Sequence, residues 1–358
     1  MLDVLVFGAT GYTGSAVAAA LARRGARFGI AGRDRDRLEA VRRATGADEV
    51  FVAAADDVGG LTVAAKSARV LAACVGPFAE LGDAAVEAAL AAGVHYVDCT
   101  GEAEFVARLA TYDRQARAAG VVLAPALAFD EVPADVAATL AVRGLDGADL
   151  TITYALPSFA SPGTVRSSLR ILTSTGTWFS NGERVEIESG ERSRWAPLPP
   201  PLGPRPSLSA HMAEAWLAPL HLEVASVSTY LSTSTTRRRV APLLLPALRV
   251  AARHETTRSL VEQGLLAVTR RATAPGAAQA RWTVLAEATA GARRRSVVIS
   301  GRDVYGLSAE LLSRGAMHLA DAPNDGGGLR APVEAVGLDA LSHELIARGA
   351  TISVFEAR

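Results

Sequence analysis

The chain of 358 residues is long for one compact core and suits two domains, and with 49% hydrophobic residues it has ample material for burial. Its formal net charge is zero, which leaves no basic excess to hold a nucleic acid or to anchor the chain on an anionic membrane. Lys66 is the only lysine, so any mechanism built on a Schiff base or a Tyr–Lys proton relay would have to use it.

In chain order, short apolar runs alternate with Ala-rich amphipathic runs over the first 125 residues. Strands are predicted at Leu2–Phe7, Arg27–Ala31, Glu49–Ala53, Arg69–Cys74, His95–Asp98 and Val121–Ala124. Helices are predicted between them at Ser15–Arg24, Asp36–Thr45, Val58–Ala65, Asp83–Ala92 and Glu102–Ala119. Strict alternation of strand and helix implies a parallel sheet covered on both faces, because each parallel connection must cross over. The predicted fold class is therefore α/β, with an N-terminal Rossmann dinucleotide-binding domain over residues 1–130.

After Pro133 the pattern changes to α+β. Thr151–Ala155 alternates as a half-exposed strand, Asn181-Gly182 reads as a hairpin turn, and Arg281–Ala288 and Ser296–Ser300 read as strands. Residues 131–302 are expected to form an α+β mixed-sheet domain. Within it the Pro-rich passage Pro197–Pro206 forms an ordered loop or a mobile lid. The run Val240–Ala252 is interrupted by Pro242 and Pro246 and is shorter than the ~20 residues of a membrane span; it reads as a buried helix or as a surface for a lipid-like substrate. The segment 303–358, with a helix at Ser308–Ala320 and a strand at Thr351–Phe355, is expected to pack back on the first domain. Cys74 and Cys99 form no disulfide framework, and with no signal peptide a cytoplasmic location is expected. The six histidines lack ligand spacing, so no metal is expected.

The richest chemical signal is the turn Gly8-Ala9-Thr10-Gly11-Tyr12-Thr13-Gly14, which follows the first strand directly and opens a helix. Glycines there let the backbone approach a pyrophosphate, and the helix that follows aims free N–H groups at its charge. The spacing Gly-x-x-Gly-x-x-Gly departs from Gly-x-Gly-x-x-Gly, so its strand-turn-helix context carries the reading. At the end of the second strand, where a carboxylate would bind the ribose hydroxyl of NAD, stands Arg33, followed by Asp34, Arg35 and Arg37. A guanidinium there suits a 2′-phosphate, which selects NADP(H).

Ligands of such a sheet bind beyond the carboxyl ends of its strands. Cys74-Val75-Gly76-Pro77-Phe78 follows the fourth strand, where Phe78 is placed to cover a nicotinamide. Tyr96-Val97-Asp98-Cys99-Thr100-Gly101-Glu102 follows the fifth, and Phe129-Asp130-Glu131 leads out of the domain. Tyr96, Asp98, Glu102 and Asp130 are the candidate catalytic residues, with Tyr154 and Ser167 of the second domain as further proton donors. Asp98, Thr100 and Glu102 also read as the cap and first turn of the next helix. The Tyr-x-x-x-Lys pair of short-chain dehydrogenases is absent, since Thr62 stands four residues before Lys66.

Together these segments resemble the saccharopine dehydrogenase-like family, and within it the branch of trans-acting enoyl reductases. The matching pieces are Gly8–Gly14, Ala31-Gly32-Arg33, Val75–Phe78 with Gly82, Ala92–Asp98 running into Thr100-Gly101-Glu102, and Phe129–Pro133. Further on, Gly163–Ser167, Tyr305–Glu310 and the end from Gly328 to Phe355 are similar. Ala128 and Ala134 stand where the family usually has glycine. The resemblance implies NADP(H) held by Gly8, Thr10, Gly11, Tyr12, Thr13, Gly14, Arg33, Val75, Gly76, Pro77, Phe78, Thr100 and Gly101. It also implies that residues 131–302 supply the substrate pocket and the contact of a homodimer, and that hydride passes to a C=C or C=N bond. Three functions stay open. One is an enoyl reductase of secondary metabolism acting on a small-molecule or carrier-bound apolar substrate. Another is a saccharopine-type imine or amino-acid oxidoreductase, for which Arg166, Arg170 and Arg237–Arg239 would bind carboxylates. The third is a non-catalytic NADP-binding regulator.

Overall fold

The computed structural model describes residues 1–157, 169, 171–252, 254, 257–261, 263, 264, 267, 280–321 and 326–357. Strands β1 (Leu2–Phe7), β2 (Phe28–Gly32), β3 (Glu49–Val52), β4 (Ala68–Ala73), β5 (His95–Asp98) and β6 (Val122–Ala124) alternate with helices α1 (Tyr12–Arg23), α2 (Arg35–Thr45), α3 (Val58–Ala65), α4 (Phe78–Leu81), α5 (Asp83–Ala92) and α6 (Ala103–Ala119). Then come α7 (Glu131–Val142), β7 (Ala148–Ala155), β8 (Thr175–Ser180), β9 (Glu183–Glu188), β10 (Ser193–Ala196), β11 (Arg205–Ala210), α8 (Glu214–His221), β12 (Val224–Ser232) and α9 (Thr235–Ala252). The chain ends with β13 (Arg281–Ala290), β14 (Arg293–Arg302), α10 (Val304–Asp321), β15 (Gly328–Leu329), α11 (Pro332–Val336), α12 (Leu338–Ala347) and β16 (Thr351–Ala357).

Two compact units result. The first comprises Met1–Val132 and Tyr305–Glu344. Its sheet runs β15-β6-β5-β4-β1-β2-β3, and every pairing in it is parallel. This is the strand order of a dinucleotide-binding sheet with one short strand added at the edge. Strands buried on both faces need continuous apolar sequence, and Val4, Leu5, Val6 and Ile30 are fully buried. Asp34 and Asp57 cap α2 and α3 through their side chains, which fixes where those crossovers begin. The segment after residue 304 is held to this unit by Arg24, whose Nη2 lies 2.8 Å from Glu310 Oε2 and 2.7 Å from Glu344 Oε1.

The second unit comprises Pro133–Val304 and Leu345–Arg358. Its mixed sheet runs β10-β11-β12-β7-β13-β14-β16, with β8 paired to β12 and β9. Asn181 and Gly182, at φ 51° and 83°, make the tight turn between β8 and β9 in the conformation that an Asn-Gly pair favours. The final strand departs from the expectation that it packs on the first domain. β16 pairs antiparallel with β14, Ser300 opposite Thr351 and Ile299 opposite Ile352, because the open edge of β14 offers a long antiparallel partner.

The Pro-rich passage between β10 and β11 is ordered against the sheet: Leu198 packs with Ala196, Leu285 and Val298. The run from Val240 lies in α9, and most of it is not buried. Leu245 is 8% exposed, whereas Leu243 and Leu244 are 77% and 61% exposed, since two prolines and a basic start leave one narrow apolar stripe. Among the described residues no helix is long and apolar enough to cross a membrane.

Candidate functional site

The carboxyl ends of β1 and β4 are neighbours in the sheet, and the connections leaving them run to opposite sides, which opens a crevice. Gly8 sits at that point with φ +84°, and a β-carbon on it would lie 2.6 Å from Val75 Cγ2 and 3.0 Å from the Cys74 carbonyl. At Gly14 a β-carbon would fall 2.2 Å from the Gly8 oxygen. Both positions therefore demand glycine, the first for its backbone angle and the second so that α1 can press on the turn. Gly11 caps α1 without any side-chain hydrogen bond, so the first-turn N–H groups remain open to an anion. Tyr12 is exposed, and its ring meets Tyr305 edge-on at 4.8 Å.

On the β2 side, Asp34 is occupied as a cap: its Oδ1 accepts from Arg37 N at 3.1 Å. Arg37 Nη2 in turn donates to the Thr10 carbonyl at 2.9 Å. Arg33 is exposed, and no described residue pairs with it. The Asp34 carboxylate is thus tied into the helix start, and the Arg33 guanidinium that favours a 2′-phosphate is available. The glycine cradle, the uncapped helix start and Arg33 fit a phosphate-rich dinucleotide.

The loop after β4 is held from beneath. Glu102 is 4% exposed; its Oε1 accepts from Phe78 N and its Oε2 from Ala79 N, each at 3.0 Å. Arg108 Nη2 donates to the Ala79 carbonyl at 2.8 Å. Phe78 does not present its ring to a ligand. It is buried against Phe105 at 5.5 Å between ring centres, because the Phe105 ring offers an apolar partner in the interior. Val75 and Gly76 remain the accessible part of this loop.

The next strand end is also a brace. Asp98 is fully buried, and its Oδ1 accepts from Thr100 N and Ala126 N, both at 2.9 Å, tying the end of β5 to the end of β6. Ala126 holds φ 65°, a strained angle for a residue with a β-carbon. Burial pushes the Asp98 carboxyl up to about 6, against the lowering effect of the Ala126 and Thr100 N–H groups and of Tyr96. The Tyr96 hydroxyl is raised well above its ordinary value, mainly by burial and then by Asp98. Neither that hydroxyl nor Asp98 Oδ2 meets full hydrogen-bond geometry with a partner. Cys99 is likewise pushed up, first by Cys74 alongside it and then by burial.

Asp130 differs from these three. It is half-buried, its carboxyl is pushed up to about 6 by desolvation against two backbone N–H groups, and a β-carbon on Gly101 would lie 3.4 Å from its Oδ2. Of the four catalytic candidates, then, Tyr96, Asp98 and Glu102 lie inside the scaffold and Asp130 reaches its surface. Ala126 and Arg108 escape a reading of the sequence. An alanine carries no mark of a positive φ, and Arg108 acts across a long separation.

In the second domain Tyr154 is fully buried and donates to Glu214 Oε1, which removes it from the proton donors. Gly163–Ser167, including Arg166, and Arg170 lie outside the described residues. A cavity of about 810 Å³ opens on this domain's sheet, lined by Arg205, Arg237, Arg281 and Arg302 together with Pro199–Leu202 and Trp282.

Residues 4–123 match the family model of the saccharopine dehydrogenase NADP binding domain. The first domain is a saccharopine dehydrogenase NADP-binding domain. This domain binds NADP(H). The whole chain superposes on apo saccharopine dehydrogenase (L-Glu forming) from Saccharomyces cerevisiae with a TM-score of 0.67 at 12% identity, covering 100% of each chain, a likeness of fold. A Mycobacterium tuberculosis protein that carries the name putative trans-acting enoyl reductase is 34% identical over 244 residues, 63% of this chain and 56% of its own length. The lipid droplet localized protein of Caenorhabditis elegans is 34% identical over 158 residues, 40% of this chain and 37% of its own. The chain spans about half the length or less of these curated relatives.

Proposed function

We propose that the chain is an NADPH-dependent reductase that adds hydride to a carbon–carbon double bond conjugated to a carbonyl, in an apolar, enoyl-type substrate. The observation that carries this reading is the extent of the likeness to the mycobacterial relative. At 244 residues it is about twice as long as the matched NADP-binding domain, so the similarity continues into the part of the chain that must hold the substrate. When bound, the reduced nicotinamide supplies a hydride equivalent.

The residues of this chain do the rest. Gly8, Gly11 and Gly14 seat the pyrophosphate, with Thr10, Tyr12 and Thr13 shaping the turn. Arg33 selects the 2′-phosphate. Val75, Gly76, Pro77, Thr100 and Gly101 border the reacting end, and the loops there are fixed by Glu102 and Asp98 as positioning residues. Asp130, whose carboxyl is pushed up to about 6 by desolvation, supplies from its protonated form the proton for the carbon next to the carbonyl. Homodimerisation through the second domain and a role in secondary metabolism belong to the same reading and rest on the family resemblance.

A second reading has an observation of its own. The arginines around the second-domain cavity favour a substrate with carboxylates, as a saccharopine-type imine reductase would require. Oxidation of NADPH with a panel of enoyl thioesters and unsaturated ketones, set against keto acids with amines, separates the two. Cofactor binding without turnover on either panel would favour a regulator.

A further inference from the structure

The second-domain cavity has a composition that the enoyl-type reading does not explain. Its floor is one face of the sheet. The pairings Ser207–Ser232, Thr283–Ala155, Thr283–Ser300 and Ser300–Thr351 place hydroxyl groups in a row across adjacent strands, and all but Ser207 line the cavity. Further along the same strands, Arg281 stands directly opposite Arg302 on β13 and β14. Like charges facing each other across an antiparallel pair destabilise it, so this arrangement calls for a counter-charge. Among the described residues the cavity wall holds none, since no Asp or Glu of theirs lines it.

Arg205 and Arg237 approach from other elements. Arg205 Nε is fixed on the Leu202 carbonyl at 3.0 Å. Arg237 lies in the first turn of α9, whose start is capped by Ser234 and contributes the positive end of the helix dipole. None of the four arginines forms an ion pair with a described residue. By contrast, Arg194 and Arg295 of the same sheet pair with Glu287 and Glu356. Beside the charged groups, Leu156, Pro199–Leu202 and Val298 give the cavity an apolar wall.

We infer that this cavity is a binding site for a multivalent oxyanion borne on a partly apolar small molecule, with the charge held between Arg281 and Arg302 and the apolar part against Pro199–Leu202. The site rests on the arginines and hydroxyls of the second domain alone, so it stands or falls independently of the enoyl-type reading.

The test is calorimetric titration of the full chain with pyrophosphate and, separately, with citrate. NADPH is kept saturating so that the phosphate-binding turn of the first domain is filled. The site predicts binding of at least one probe, and its preference tells a phosphate ligand from a carboxylate ligand. The double variant Arg281→Gln, Arg302→Gln should weaken that binding at least about tenfold, from the loss of charge-assisted hydrogen bonds. Because the empty pair repels, the same variant without anion should have an unchanged or higher Tm, and pyrophosphate or citrate should raise the Tm of the parent chain only. Absence of binding by both probes, binding indifferent to the two substitutions, or a lower Tm of the anion-free variant would each overturn the assignment.

Discussion

Asp98→Asn separates a brace from a catalytic group. Burial moves the Asp98 carboxyl from 3.8 to about 6. At about 1.4 kcal/mol per pH unit, keeping it ionised in the folded state costs about 3 kcal/mol. The shift is upward, so the native chain holds this proton more tightly than the unfolded chain. Its contribution to stability is complete below 3.8 and is lost as the pH rises through about 6. Asparagine keeps an oxygen that can accept from both Thr100 and Ala126, and it removes the charge. Above about pH 7 the variant should therefore be more stable than the parent, by up to about 3 kcal/mol, and near pH 4 the gap should close. Asp98→Ala, which leaves the two N–H groups without their acceptor, should lose stability at both pH values.

All four tryptophans, Trp178, Trp195, Trp216 and Trp282, belong to the second unit. Unfolding is therefore best followed by circular dichroism in urea together with amide exchange at Thr100 and Ala126. An Asp98→Asn variant less stable than the parent at about pH 8, or a difference that does not change with pH, would refute the reasoning.

Gly8→Ala brings a strained φ and a contact with Val75 inside normal packing distance, so stability should fall by about 2–5 kcal/mol and NADPH should bind at least about tenfold more weakly. Gly25→Ala, at φ +71° with open space around it, is the control that carries the strain without the loss of binding; fluorescence titration with NADPH compares them. Arg33→Ala should raise the Kd for NADPH by about 10-fold or more through loss of a charged hydrogen bond while leaving NADH nearly unchanged, and equal effects on both would contradict the 2′-phosphate assignment. If Asp130 donates the proton, kcat/KM should decline as pH rises above about 6, and Asp130→Asn should remove that dependence while lowering kcat by about 10² or more; an unaltered pH profile would exclude it.

What the sequence disclosed was local. Gly8–Gly14 and Arg33 lie within short stretches whose residue types state their backbone and charge requirements, and the alternation of the first 125 residues states a parallel sheet. The misplacements are all long-range. Phe78 is an aromatic in a loop, and nothing nearby tells that Phe105, on a later helix, draws it inward. Asp98 reads as a cap of the next helix, but α6 begins at Ala103 with Glu102 at its cap position; Asp98 instead accepts from Thr100 within the turn and from Ala126, 28 residues away. β16 pairs with β14 across about fifty residues, and the oxyanion cavity is assembled from strands between residues 155 and 355. A pattern of hydroxyls and arginines distributed so widely becomes a site only when the register is known.

The central claim is hydride transfer from NADPH to a conjugated double bond, and isotope transfer tests it most directly. The chain is incubated with NADPH carrying deuterium at the transferring position of the nicotinamide, together with an enoyl thioester, and the product is read by mass spectrometry. The account predicts a saturated thioester with one deuterium on the β-carbon and, in ordinary water, a proton on the α-carbon. NADPH that binds yet leaves the thioester unreduced and unlabelled, while a keto acid with an amine takes up the deuterium, would contradict it.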